Sequence, residues 1–445
     1  MTTTLRFTLG LLLAGTALHA VARSNAGAPT ANPVMLDVPA RSDATPSIAA
    51  QGAFVAVAWG ASADGKADVL VATSRDGGKT FGAPVRVNRV AGEGRLGGEL
   101  PPRVALRATA GTPRPDVFVL WNARGASTTI QMARSRDGGT TFGAPVALQA
   151  SGAAGDRGWP ALTVDTQGRA HAIWLDHRGL AAARSAGAAS KPASGTGHHA
   201  HAHTDGPAVD GAVDAQKSSL FYARVGGDAT LQPTPEQAVT PGVCYCCKTA
   251  LAAGPSDTIV AAWRHVYPGD LRDIAMAISR DGGRTFSAPA RVSEDGWAIN
   301  GCPDDGPAVV VDGAGVTHIV WPTVIGTTDP EGALFYSTTR DGKQFTPRVR
   351  VPTMGGPKPT HPQLAIGPTG RLVVAWDEMI GRERLSVLRE VKNGGATPTF
   401  GEPVTLARGG SDNHPVVAVL SDVVVAAWAT GGDNSRIATR RIALK

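Results

Sequence analysis

The chain has 445 residues, a formal charge of +6 from 43 basic and 37 acidic residues, and a mean hydropathy of −0.05. The basic residues are scattered without a basic run, which excludes the clustered footprint of a nucleic-acid binder, and beyond the N-terminus no apolar stretch is long enough to span a bilayer as a helix. With 55 Gly, 32 Pro and few long helical periods, the composition points to short strands joined by turns.

At the start of the chain, Arg6 precedes the apolar run "FTLGLLLAGTAL", and Ala20 and Ala22 then supply the small residues of an A-x-A cleavage site. The expectation is a signal peptide over 1–22, a linker over 23–32, and a protein exported to the periplasm or secreted. No cysteine follows the apolar run, so no lipid anchor is expected.

From residue 33 onward repeats organise the sequence. A turn recurs as "SRDGGKTF" from Ser74, "SRDGGTTF" from Ser135, "SRDGGRTF" from Ser279 and the shortened "TRDGKQF" from Thr339. In each, Asp76, Asp137, Asp281 or Asp341 can accept hydrogen bonds from turn amides and Gly supplies a positive-φ position. The closing Phe81, Phe142, Phe286 or Phe345 can then tuck inward. This pattern, Ser-x-Asp-x-Gly-x-Thr-Phe, resembles the Asp-box (BNR) repeat of sialidases and related β-propellers. The resemblance covers about residues 33–445 and implies an all-β propeller in which these aspartates build turns.

A longer unit, an alternating apolar strand ending in Trp, appears seven times, closing at Trp59, Trp121, Trp174, Trp263, Trp321, Trp376 and Trp428. The intervals of 62, 53, 89, 58, 55 and 52 residues suit four-stranded blades except the third. That interval carries an insertion, expected to be disordered over 181–217 and holding the tract "HHAHAHTDG". Seven copies imply seven blades; the alternative is the six-bladed ring of the sialidase family. After Trp428 only one further strand remains, so "NPVMLDV" near Asn32 is expected to provide the missing outer strand and close the ring.

In such a propeller the loops entering the inner strands and those leaving the second strands share one face, opposite the Asp boxes. All four cysteines fall there: Cys244, Cys246 and Cys247 in "PGVCYCCKTA", and Cys302 in "NGCPDDGP". His177, His265, His361 and His414 join them, and His198, His199, His201 and His203 lie in the insertion. Three readings of the cysteines stay open. An even count in an oxidising compartment suits disulfides, with a Cys302 bridge joining neighbouring blades and Cys246 and Cys247 pairing only as a strained vicinal bond. Thiolates beside imidazoles suit copper or zinc. A nucleophilic cysteine is the third.

The sialidase resemblance also implies three arginines on a substrate carboxylate, a Tyr nucleophile activated by Glu, and an Asp acid/base. Arg157, Arg178 and Arg264 are available. The early Arg-Ile-Pro signature is absent, since "ARSDATPSI" does not match it, and Tyr245 and Tyr267 lack the late position of the nucleophile. No catalytic residue is therefore carried over. The expected function is metal binding on the axial face by Cys244, Cys246, Cys247, Cys302, His177, His265, His361 and His414, with Arg178, Arg264, Asp304, Asp305 and Tyr267 as further ligand contacts. The alternatives are an exo-sialidase-type hydrolase acting on an acidic glycan and a non-catalytic protein-interaction scaffold; in each case the chain is expected to act as a monomer.

Overall fold

The computed structural model describes residues 32–444, apart from 99, 110, 113, 150–151, 189–210, 227–230, 300, 302, 393–396 and 411–413. The expected signal peptide and most of the linker lie outside the described residues, as do Cys302 and the four histidines of the insertion.

Seven antiparallel sheets form the blades of a propeller, each running from an inner strand at the axis to an outer strand at the rim. The inner strands are Ser42–Gln51, Arg103–Arg107, Arg157–Val164, Ala250–Ala253, Ala308–Val311, Thr360–Ile366 and Val416–Val419, which start blades 1 to 7. The second strands carry the repeated tryptophans and are buried almost throughout, as in Asp116–Ala123 and Ile259–Arg264. Each lies between two flanking blades, so both of its faces need apolar side chains and the sequence reads as a near-continuous hydrophobic run. Seven hydrophobic clusters follow, each made by one pair of neighbouring blades, including a seventh that joins blade 7 to blade 1 through Trp59, Leu36 and Ile437.

The ring closes as the sequence implies. Val34–Leu36 pairs antiparallel with Ile437–Ala443 as the outer strand of blade 7, with Leu36 opposite Ile437 and Val34 opposite Thr439. Blade 6 alone doubles its rim, because Thr399–Phe400 and Val404–Arg408 both pair with Glu383–Lys392.

The Asp turns do local work. Asp76 accepts the amides of Lys79 at 2.9 Å and Thr80 at 3.0 Å and the hydroxyls of Ser74 and Thr80, and Asp137 and Asp281 repeat this. The second glycine of the turn seats on the preceding blade. At Gly283, with φ +83°, a Cβ would stand 1.7 Å from the Tyr222 hydroxyl.

The insertion departs from expectation at its described ends. Arg178–Ala188 and Gly211–Gln216 are helices where disorder was expected over 181–217. The first is "RGLAAARSAGA", and alanine's high helix propensity explains how so weak a pattern folds. Among the described residues no helix is long and apolar enough to cross a membrane.

Candidate functional site at the axial mouth

The mouth of the ring is made by backbone in an unusual state. Thr45, Trp159, Asp304, His361 and His414 have φ of 52°, 50°, 52°, 53° and 36°. All but Asp304 stand immediately before a proline, at Pro46, Pro160, Pro362 and Pro415. Strand register slips at the same places in blades 1, 3 and 6. Non-glycine residues in this region cost on the order of 1–3 kcal/mol each and are kept where the surroundings demand them. The bulges turn side chains to the axis, where Thr45, Arg103, Lys248, His361, Gln363 and His414 line a cavity of about 20 Å³, room for about one water. Larger depressions of about 500 to 620 Å³ lie at the Asp-turn end of the ring and contain none of these groups.

On the blade 6 and blade 7 side, Asp377 organises the mouth. It is fully buried and accepts from His361 Nδ1 at 2.7 Å, Thr360 Oγ1 at 2.7 Å and the His414 amide at 3.3 Å, with Arg384 at 3.2 Å. Burial alone would raise its pKa; the hydrogen bond and charge of His361 and the charge of His414 outweigh it and hold the carboxyl well below its ordinary range. The two imidazoles lie tilted at 38° to one another with centroids 3.9 Å apart. Asp305 links this side to blade 5, its carboxylate accepting the Gly306 amide at 2.8 Å and the His361 amide at 2.9 Å. Its neighbour Asp304 is exposed.

Across the mouth sit the sulfurs. Val243 bridges to His265 and the Cys244 amide donates to the Arg264 carbonyl at 2.9 Å, so the cysteine segment is pinned along the second strand of blade 4. Cys244, Cys246 and Cys247 are 1%, 6% and 1% exposed, and their sulfurs all lie within 4.8 Å of one another. The Cys247 thiol donates to Cys244 Sγ at 3.1 Å, Cys246 Sγ stands 3.8 Å from Cys244 Sγ, and Arg272 donates to Cys244 Sγ at 3.4 Å. Cys247 also accepts the Asp305 backbone amide, which ties the sulfurs to the blade 5 side of the mouth. The Cys247 hydrogen bond, opposed by burial and helped by the Arg272 and Arg264 guanidinium groups, lowers Cys244 to about 7, while burial and that same bond push Cys247 up. Of the pair, Cys244 is therefore the more readily ionised. Cys244 and Cys247 are free thiols, whereas Cys246 is disulfide-bonded.

The histidines expected around these sulfurs are not part of the sulfur group. His265 Nδ1 accepts the Trp263 indole N–H at 3.3 Å, and its ring packs edge-on to Tyr267 at 4.7 Å; burial lowers His265 to about 4 and raises Tyr267 to about 12. His177 lies between the rings of Trp159 and Tyr245 at 6.0 and 6.3 Å, and burial lowers it to about 4. Its Nε2 is buried with no partner among the described residues. His361 and His414 belong to the Asp377 side.

The expected ligand arginines are already engaged. Arg178 grips Asp176 through Nε at 2.8 Å and NH2 at 2.7 Å, pairs with Glu236 at 3.0 Å, and lies over the Phe221 ring. Arg264, 1% exposed, donates to the carbonyls of Asp305 at 3.1 Å, Arg272 at 2.7 Å and Pro322 at 2.8 Å. Much of the polar collection at this face in fact serves tryptophan. The indole N–H groups of Trp59, Trp174, Trp321 and Trp376 go to Asp43, Asp176, Asp295 and Glu378. Sequence reasoning passed over Arg272 and Lys248; neither recurs from blade to blade, so the repeat gave no signal for them.

No known protein-family model and no curated protein matches the chain. Solved structures do. A PL25 ulvan lyase bound to a glucuronic acid–rhamnose sulfate disaccharide is similar at a TM-score of 0.51 and 10% identity, over 92% of this chain and 95% of that one. The fold is that of a seven-bladed β-propeller. The Penicillium chrysogenum α-L-arabinanase complexed with arabinobiose is similar to this propeller at a TM-score of 0.49 and 14% identity, over 93% and 98% of the two chains. The Hadza microbial sialidase Hz136 matches it at 0.47 and 15%, over 86% and 73%. Identities this low concern the fold of the propeller and leave its chemistry to its own residues.

Proposed function

We propose that the axial mouth binds a soft transition metal, copper or zinc, through Cys244, Cys246 and Cys247. The observation that carries the reading is the mutual approach of three buried sulfurs within 4.8 Å, held by the strand pairing at Val243 and by Arg272. Thiolates select Cu(I) and Zn(II) over harder ions, and a cluster already assembled at one backbone turn needs little reorganisation to converge on one ion. The set is narrower than the sequence suggests, because none of the four expected histidines belongs to the group.

Hydrolysis of an acidic glycan has less support here, since Arg178 and Arg264 are committed to carboxylates and carbonyls within the protein. Export would deliver the site to a compartment where loosely held metal is scavenged; the N-terminal residues motivate that part of the reading. The test is elemental analysis of protein purified without a tag, followed by Cd(II) titration of the reduced protein. One bound equivalent that is lost in Cys244→Ser supports the reading; no bound metal and no sulfur-to-Cd(II) absorption in correctly folded protein removes it.

A further inference from the structure

Two chemical states of sulfur meet at the mouth. Cys244 and Cys247 are thiols in hydrogen-bond contact at 3.1 Å, and 3.8 Å from Cys244 lies Cys246 Sγ, which is in a disulfide. A disulfide sulfur has no thiolate lone pair to offer, so the three-sulfur set is complete only when that bond is open. The geometry does not otherwise distinguish the three, since all are buried and mutually close. From this juxtaposition we infer that the site is redox-gated: Cys246 supplies the third sulfur ligand only after its disulfide is reduced, and oxidation removes it. The inference rests on the metal reading above and adds its regulation.

The chemistry balances with a reductant of stated class. A small dithiol transfers two electrons and two protons to the Cys246 disulfide, the S–S bond breaks to give two protein thiols, and the dithiol closes to its own disulfide. Metal then binds as thiol protons are released. In reverse, a disulfide oxidant rebuilds the bond and leaves only Cys244 and Cys247. The cysteine segment packs in a small satellite cluster with Ala215, Val266, Trp159 and Tyr245, which meets the cluster between blades 3 and 4 at Trp159. Cys246, at 6%, is the most exposed of the three, which fits such a switch.

The experiment uses the full chain in two states, untreated and dithiol-reduced with excess reductant removed, and counts thiols in denaturant. Two thiols are expected in the first state and four in the second, from the four cysteines of the chain. Cd(II), redox-inert and thiophilic, is then titrated against a chelating dye. The reduced protein should bind at least as much tighter as the roughly 10- to 100-fold that loss of even an outer-shell partner costs. Cys246→Ser, which cannot form the bond, should bind at the weaker level before and after dithiol treatment, and a cooperative thermal transition matching that of the dithiol-reduced parent shows that it folds. Equal affinity in both states, or four thiols before reduction, overturns the gate while leaving the metal reading standing. Absence of Cd(II) binding to folded, fully reduced protein overturns both.

Discussion

Arg264 separates a structural from a ligand-binding account of the axial arginines. Its guanidinium is 1% exposed and donates to three backbone carbonyls, two of them in blade 5 or the loop leading to it, so it acts as a strut between blades 4 and 5. Arg264→Lys keeps the charge but replaces a rigid fork by a single ammonium that reaches at most one or two of these carbonyls. Hydrogen bonds from a charged group contribute about 1.5–3 kcal/mol, and a buried carbonyl left unpaired costs about 1–3 kcal/mol. With one or two partners lost the expected destabilisation is about 3–5 kcal/mol. For a ring of this size about 1–2 °C accompanies each kcal/mol, so the transition should fall by roughly 3–10 °C in a thermal scan. An Arg264→Lys protein that melts with the parent but loses affinity for an acidic sugar would overturn the strut assignment and restore the role of Arg264 as a clamp on a substrate carboxylate.

Other outcomes are equally specific. Gly283→Ala should destabilise by about 2–4 kcal/mol, from a left-handed backbone and a clash at the Tyr222 hydroxyl, whereas Gly52→Ala, also at positive φ but with no atom within 4 Å, should cost only about 1–2 kcal/mol; paired urea titrations compare them. Deleting residues 33–37 should lower the melting temperature and bring concentration-dependent light scattering, because the Ile437–Ala443 strand then presents a free edge. Burial lowers His177 and His265 from 6.5 to about 4, so on acidification the unfolded chain takes up these protons first. Stability should therefore decline between about pH 6.5 and 4, by up to ~1.4 kcal/mol per unit per histidine. Asp43, raised from 3.8 to about 6 by burial, works in the opposite direction, its native form being protonated first between about pH 6 and 4. A His177→Gln, His265→Gln double variant should show a shallower acid-side decline in thermal scans, with what remains left to the other buried histidines, His171 and His318; an unchanged pH profile would contradict the burial argument.

The ring was legible in the sequence because its physics repeats. A second strand covered on both faces must be apolar throughout and ends in Trp, and seven such runs read as seven blades; the outer strand missing after Trp428 pointed to the N-terminal segment that fills it. The same register put Cys244, Cys246 and Cys247 at the mouth. Side-chain direction was another matter. His265 sits two residues after Trp263, at the same spacing as Asp176 after Trp174 and Glu378 after Trp376, and all three turn back to the indole. Spacing alone does not distinguish a group that faces the axis from one that satisfies a buried N–H. The helices of the insertion were hidden by low hydrophobicity, since alanine forms helix without announcing an apolar face.

The strand that closes the ring has a consequence for how the chain is made. The Thr439 hydroxyl donates to the carbonyl of Val34 at 3.2 Å across 405 positions, so the last blade can be completed only when nearly all of the polypeptide is available. A nascent chain can stack its early blades as they emerge, but it must hold the 34–36 segment vacant until the final strand arrives. Contacts of such long sequence separation slow folding, and the waiting form carries one open sheet edge. The rate of ring closure, more than the stability of any single blade, then sets how long newly made protein is exposed to self-association.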